Sequence, residues 1–263
     1  MIYSVFHFNL FFSSLPLSDR QTVINACYWP LLNMIDRNNF KVSLELPGST
    51  IEVIKDLDPK LLKKIKDLIL ADKIDIVASG YIQIIWQLAP KNVLEENIRL
   101  DREIFLEEFG FYPKIFYLNE QCFSPDLVEY LGDLGFKGVI CEHENLSLNE
   151  GVKEGYDPSI FISGNGTQIL LIWNSSYWFQ MFQRSVQSFS EEAFKDYTKL
   201  IEDYISSKNY LCLYGSDLEV FNYRPKRFHS ETSIDYDEWV VIERIYRGIS
   251  NHLILVSEIL DHN

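Results

Sequence analysis

Residues 114–123, KIFYLNEQCF, set how the rest of the chain is read. Pro113 and Lys114 lead into the apolar run Ile115-Phe116-Tyr117-Leu118, which has the length and bounding turn of a short buried strand. The run stops at Asn119-Glu120, and Ser124-Pro125-Asp126 follows as a helix start. A carboxylate just past the C-terminal end of a buried strand stands where α/β barrels carry their catalytic groups. Far downstream, Tyr210-Leu211-Cys212-Leu213-Tyr214 repeats the pattern, an apolar run leading into the polar Gly215-Ser216-Asp217-Leu218-Glu219. Two strand-end carboxylates on distant segments suggest acid/base chemistry.

The remaining elements fit the same reading. Upstream, residues 2–8, 41–46 and 74–78 read as strands ending at His7-Phe8-Asn9, Pro47-Gly48 and Ser79-Gly80-Tyr81. Between them lie a helix that Ser18-Asp19 would cap, carrying Val23, Ile24, Cys27, Leu31, Leu32 and Ile35, and a helix opened by Asp58-Pro59. Residues 92–109 form an amphipathic helix stopped by Gly110, and a loop rich in amides and aromatics (Gln83, Trp86, Gln87) precedes it. Downstream, residues 138–141 and 168–173 read as strands, with Gly164-Asn165-Gly166 as a hairpin-like turn. Helices follow through Tyr177 and Phe182, from Ser190 to Ser207, and from Asp237 to Ile249, with a last strand over residues 252–257. Seven or eight strands alternating with helices imply a parallel sheet closed into a distorted (β/α)7-type barrel.

At 263 residues and 47% hydrophobic, the chain is long enough to bury one sizeable core. No linker, low-complexity run or short-period repeat divides it, so residues 1–263 are expected to form one domain. The balance of 24 basic against 38 acidic residues, formal net charge -14, argues against nucleic acid, whose phosphates call for Lys and Arg. It suits a neutral substrate. Cys27, Cys122, Cys141 and Cys212 lie in apolar contexts without C-x-x-C spacing, which points to buried free thiols and a reducing cytoplasm. The opening MIYSVFHFNLFFSSLPL lacks the basic region and small-residue cleavage site of a signal peptide and reads as the first strand. No later run reaches the ~18 apolar residues of a membrane span, and no membrane partner is expected. No G-x-S-x-G, G-x-G-x-x-G or P-loop appears, so neither a serine nucleophile nor a nucleotide cofactor is expected.

The stretch from Ile74 to Asn145, with IDIVASGYIQ, NVLEENIRL and IFYLNEQCFSPDLVEYLGDLGFKGVICEHE, resembles the catalytic domain of glycoside hydrolase family 57. YGSDLEVFNYRP, Tyr214 to Pro225, resembles that family's fourth motif. The resemblance implies a seven-stranded incomplete β/α barrel acting on α-glucans with retention of configuration and without a cofactor. It implies Glu120 as nucleophile and Asp217 as general acid/base, the two carboxyls that a retaining glycosidase needs. It further implies a sugar contact for His7 and an orienting role for Glu219 beside Asp217. Gln83, Trp86, Trp173 and Trp178, together with Tyr81 and Tyr223, are candidates for holding or stacking on sugar rings. Two motifs depart from the family pattern. His7 is followed by Phe8-Asn9 in place of Gln-Pro, and Gln83 stands where a Glu or His is common, which implies an altered donor-sugar subsite.

Two other readings stay open. A catalytically silent carbohydrate-binding or scaffold homologue would keep the barrel and lose turnover. A metal-dependent polysaccharide deacetylase would need an Asp and two His, yet His7, His143, His229, His252 and His262 are scattered with no H-x-x-x-H, and no metal is expected.

Overall fold

The computed structural model describes residues 1–12, 14–147, 155–188, 190–206, 209–224 and 236–262. Pro225 and His229 lie outside them. The strands are β1 (Ile2–His7), β2 (Val42–Glu45), β3 (Ile74–Val77), β4 (Ile115–Tyr117), β5 (Gly138–Glu142), β6 (Ser159–Ile162), β7 (Gln168–Asn174) and β8 (Leu211–Asp217). They pair in two sheets, β3-β2-β1-β8 and β4-β5-β7-β6. Every pairing is parallel except β6 with β7, the hairpin whose turn Gly164-Asn165-Gly166 announces. β1 and β5 are buried along their whole length, as strands covered on both faces must be.

Among the described residues, the backbones of the two sheets are bridged at one point. Ala78 N–H donates to Ile115 O (3.0 Å) and Tyr117 N–H to Ala78 O (2.7 Å), a single parallel bridge between the end of β3 and β4. Seven parallel strands thus follow one another in the order β8-β1-β2-β3-β4-β5-β7, the (β/α)7-type arrangement that the alternation of elements implies. Between β7 and β8 side chains take the place of a ladder. Asn174 Nδ2 donates to Gly215 O (3.1 Å), Cys212 Sγ donates to Asn174 Oδ1 (3.4 Å), and the Tyr3 hydroxyl donates to Trp173 O.

Helices cover this ring for local reasons that can be named. Asp58 accepts Leu61 N–H at the start of Pro59–Leu70, Ser124 accepts Leu127 N–H before Pro125–Asp133, and Ser190 accepts Ala193 N–H before Glu191–Ile205. Gly110, at φ 77°, ends Lys91–Phe109 in the left-handed conformation that glycine adopts freely. Leu61, Leu62, Ile65 and Leu68 form the buried stripe of Pro59–Leu70.

Three expectations need correction. Neither Ser18 nor Asp19 caps the first helix with its side chain; a π turn at Ile24–Tyr28 leads into Trp29–Asn38 and accommodates Pro30. A helix at Gly48–Leu57 follows directly on Pro47, its buried Gly48 N–H donating to Asp101 Oδ1 (3.0 Å) from a distant helix. The expected last strand reduces to one bridge, Ile2 with Leu253. Beyond it, Val256 N–H donates to Ser43 Oγ (2.9 Å) and Ser257 N–H to Asp75 Oδ2 (2.7 Å), so side chains of β2 and β3 hold the segment across the N-terminal strand ends.

A Cβ added at Gly215 would lie 2.0 Å from Asn174 Oδ1. Gly215→Ala should therefore cost about 1–3 kcal/mol through overpacking of the seam. Urea unfolding reads this directly, and an unshifted midpoint would show that the seam tolerates a side chain.

Candidate active site

Six strands end on a residue that can hydrogen-bond: His7 on β1, Glu45 on β2, Tyr117 on β4, Glu142 on β5, Asn174 on β7 and Asp217 on β8. The C-terminal ends of parallel strands share one side of the barrel, so these residues converge there. Four of them, His7, Tyr117, Glu142 and Asp217, line a cavity of about 480 Å³ together with Gln83 and Glu120.

Glu120 reaches this cavity through an unusual backbone. It sits at φ 53°, ψ 11° inside the turn Asn119–Gln121, a left-handed conformation that costs a non-glycine residue about 1–2 kcal/mol. Asn119 holds the turn by donating from Nδ2 to Ser79 O (3.1 Å). Asp217 faces the same space from β8. Its Oδ1 lies 3.7 Å from His7 Nδ1, and the His7 ring packs edge-on against Tyr117 with centroids 4.4 Å apart. The His7 Nε2 is buried without a hydrogen-bond partner.

Gln83 lines the cavity, but its amide turns toward β1 and β2. Nε2 donates to both oxygens of Glu45 (3.0 and 3.1 Å), and Oε1 accepts from Asn9 Nδ2 (2.7 Å). Burial raises the Glu45 carboxyl above its usual range. Asn9 and Gln83, one from each motif that departs from the family pattern, therefore touch each other.

The remaining candidates are drawn elsewhere. Trp86 packs edge-on against Phe116 and closes over Gly80, where no Cβ leaves room for the indole. Trp173 is 1% exposed, its Nε1 donating to Asp157 O (2.8 Å). Trp178 is 3% exposed and packs on Tyr197 and Tyr204. None of the three lines the cavity. Tyr81 donates to Glu52 and Tyr223 to Asp19. Glu219 is fully buried behind the cavity, accepting from the Tyr28 hydroxyl (2.6 Å) and Asn9 N–H (3.2 Å). Burial first, and the nearby Asp217 charge second, push its carboxyl up to about 8.

Glu142 and Glu144, which the sequence reading did not single out, line the cavity beside Ser176 and Phe12. A signal was present, since Glu142 ends β5 much as Asp217 ends β8. Among the described residues, no group of three or more His, Cys, Asp or Glu is arranged to hold a metal ion. A larger cavity, about 690 Å³, opens at the opposite end of the barrel, where β3 and β4 diverge below their single bridge. Ile74, Ile76, Ile115, Leu170 and Leu255 give it a mainly apolar lining.

The model of the family described as Glycosyl hydrolase family 57 matches residues 13–263. The chain is 27% identical over 149 residues to an alpha-amylase of Pyrococcus furiosus, a match covering 56% of this chain and 22% of the relative. It is 24% identical over 119 residues to a 4-alpha-glucanotransferase of Thermococcus litoralis, covering 45% of this chain and 18% of the relative. The chain thus spans well under half the length of these curated relatives. The solved 4-alpha-glucanotransferase of Thermococcus litoralis superposes with a TM-score of 0.76 at 19% identity, over 100% of this chain and 38% of that one. A putative polysaccharide deacetylase of Mycobacterium smegmatis shares the fold at a TM-score of 0.67 and 13% identity, over 99% of this chain and 89% of that one.

Glu219 makes stability depend on pH. Its folded carboxyl titrates near 8, above the ~4.3 of an unfolded chain, so the unfolded state releases its proton first. The contribution is full below pH ~4 and is lost as pH rises toward ~8. Glu219→Gln should flatten the fall of melting temperature across that window. A slope equal to the parent's would mean that the folded carboxyl is ionised throughout.

Proposed function

Since the chain belongs to Glycosyl hydrolase family 57, we propose that it cleaves or transfers α-linked glucosyl units of oligo- or polysaccharides with retention of configuration. The observation that carries this reading is the convergence of Glu120 and Asp217, from opposite sheets of the barrel, on one cavity. Glu120 attacks the anomeric carbon while Asp217 protonates the departing glycosidic oxygen. Asp217 then takes a proton from water or from an acceptor sugar, which releases the glycosyl group from Glu120. His7, 3.7 Å from Asp217, orients that carboxyl toward the scissile bond. The four free cysteines fit a reducing compartment, and we place the protein in the cytoplasm. No helix among the described residues is long and apolar enough to cross a membrane.

A second reading, binding without turnover, is favoured by one observation. Gln83 commits its amide to Glu45 and Asn9, which removes one cavity group from work on a donor sugar.

Incubation with maltooligosaccharides separates the two. Asp217→Asn should lower turnover by about 10²–10⁴-fold, and Glu120→Gln by at least about as much. Saccharide binding by the parent with no turnover would uphold the binding-only reading, and full activity in either variant would remove that residue from the chemistry.

A further inference from the structure

The cavity wall at the end of β5 is not used by the two-carboxylate chemistry. Glu142 is 3% exposed and still reaches the cavity. Its Oε1 accepts Ser176 N–H (2.7 Å), at the start of the helix Ser176–Ser188, and Asn174 Nδ2 lies 3.5 Å from its Oε2. Glu144 accepts from Ser175 Oγ (2.7 Å) and from the Tyr156 hydroxyl (3.0 Å). The two carboxyls also act on each other, which raises Glu142 and lowers Glu144. Brought together at a buried wall, two carboxyls favour sharing one proton over carrying two charges.

Burial, then the hydrogen bond and charge of Glu144, push Glu142 up to about 8. Burial opposes the charge on Glu144 as well, but hydrogen bonds from Glu142, Ser175 and Tyr156 outweigh it and leave that carboxyl below its usual range. The pair therefore carries one charge at neutral pH, in a cavity that already holds Glu120 and Asp217. A second feature points to a polar ligand: His7 is 7% exposed, lines the same cavity, and keeps Nε2 without a partner.

We propose that the Glu142–Glu144 pair is a sugar-hydroxyl recognition subsite, holding the saccharide by hydroxyls away from the bond that Glu120 and Asp217 act on. This rests on the α-glucan reading above. Sugar hydroxyls donate to the singly charged pair, and the shared proton keeps the two carboxyls together. Without that proton they repel and the subsite opens. The groups facing the pair are Tyr117 and Glu120 from β4 and its turn, Cys212 and Asp217 from β8, and His7 from β1. On the pair's own side stand Cys141, His143 and Tyr156.

The test uses Glu120→Gln, which binds saccharide without turning it over, and calorimetry with maltotriose at pH 7 and pH 9. A subsite that needs a proton leaving near pH 8 weakens about tenfold over that interval, in proportion to the protonated fraction. Adding Glu142→Gln should abolish the pH dependence. Glu144→Gln, which removes the charge and keeps a hydrogen-bonding group, should move the step to lower pH and serves if the first variant folds poorly. In the sugar-free state, the infrared difference spectrum between the parent and Glu142→Gln should contain a protonated-carboxyl band with the same midpoint, separate from that of Glu219, which both proteins keep. A missing band, or a pH dependence unchanged by Glu142→Gln, overturns the proposal alone. An intact band with no maltotriose binding at either pH refutes the α-glucan reading and the sugar role of the pair with it.

Discussion

One buried amide, Asn174, holds the barrel shut where no backbone ladder does. It is fully buried at the end of β7, and its Nδ2 reaches Gly215 O on β8 and the Tyr117 hydroxyl on β4, 3.1 Å each. Such a group is costly unless satisfied, so the three strands are fixed relative to one another at the rim of the cavity. The bare Cα of Gly215 allows the approach. Tyr117 then sets the His7 ring against its edge, and His7 sets Asp217. Glu142 lies on the other side of the same amide. The site inherits its shape from the seam.

The two ends of the barrel are built on different principles. At the N-terminal end, Ser43 and Asp75 receive backbone N–H groups of the final segment, and the space left between β3 and β4 is mainly apolar. At the C-terminal end, carboxyl groups are gathered closer than free charges would tolerate, and each has a compensating device. Glu45 has the Gln83 amide, Glu219 has Tyr28 and the Asn9 N–H, and Glu142 has the Ser176 N–H. Asn9 links two of these arrangements, which ties Gln83 to Glu219 across the back of the cavity. A carboxylate at position 83 would face Glu45 directly, so the amide there suits its neighbour as much as any ligand.

The aromatic residues show where pattern reading loses its grip. Trp86 in a short helical turn, Trp173 near a strand end and Trp178 near a helix start stand where a sugar platform is plausible, yet all three are core side chains. Nothing in their spacing separates a ring that covers Gly80 from one that covers a sugar. Phe12, inconspicuous in an apolar N-terminal run, lines the cavity instead.

The sequence by itself determined seven of the eight strands among the described residues, most of the helices and the position of both principal carboxylates, because these follow from local rules. An apolar run of four to seven residues makes a buried strand, Ser or Asp starts a helix, and a residue just past a strand end stands at the barrel mouth. Only the tertiary structure decided the rest. The cap on Gly48 comes from Asp101, the final segment is held by Ser43 and Asp75, and the seam is closed by Asn174. Each is a side chain satisfying a backbone group tens to hundreds of residues away, and no period or composition in one chain encodes such a partner. Glu142 and Glu144 are neighbours in sequence, but the burial that raises the Glu142 carboxyl exists only once the barrel has formed.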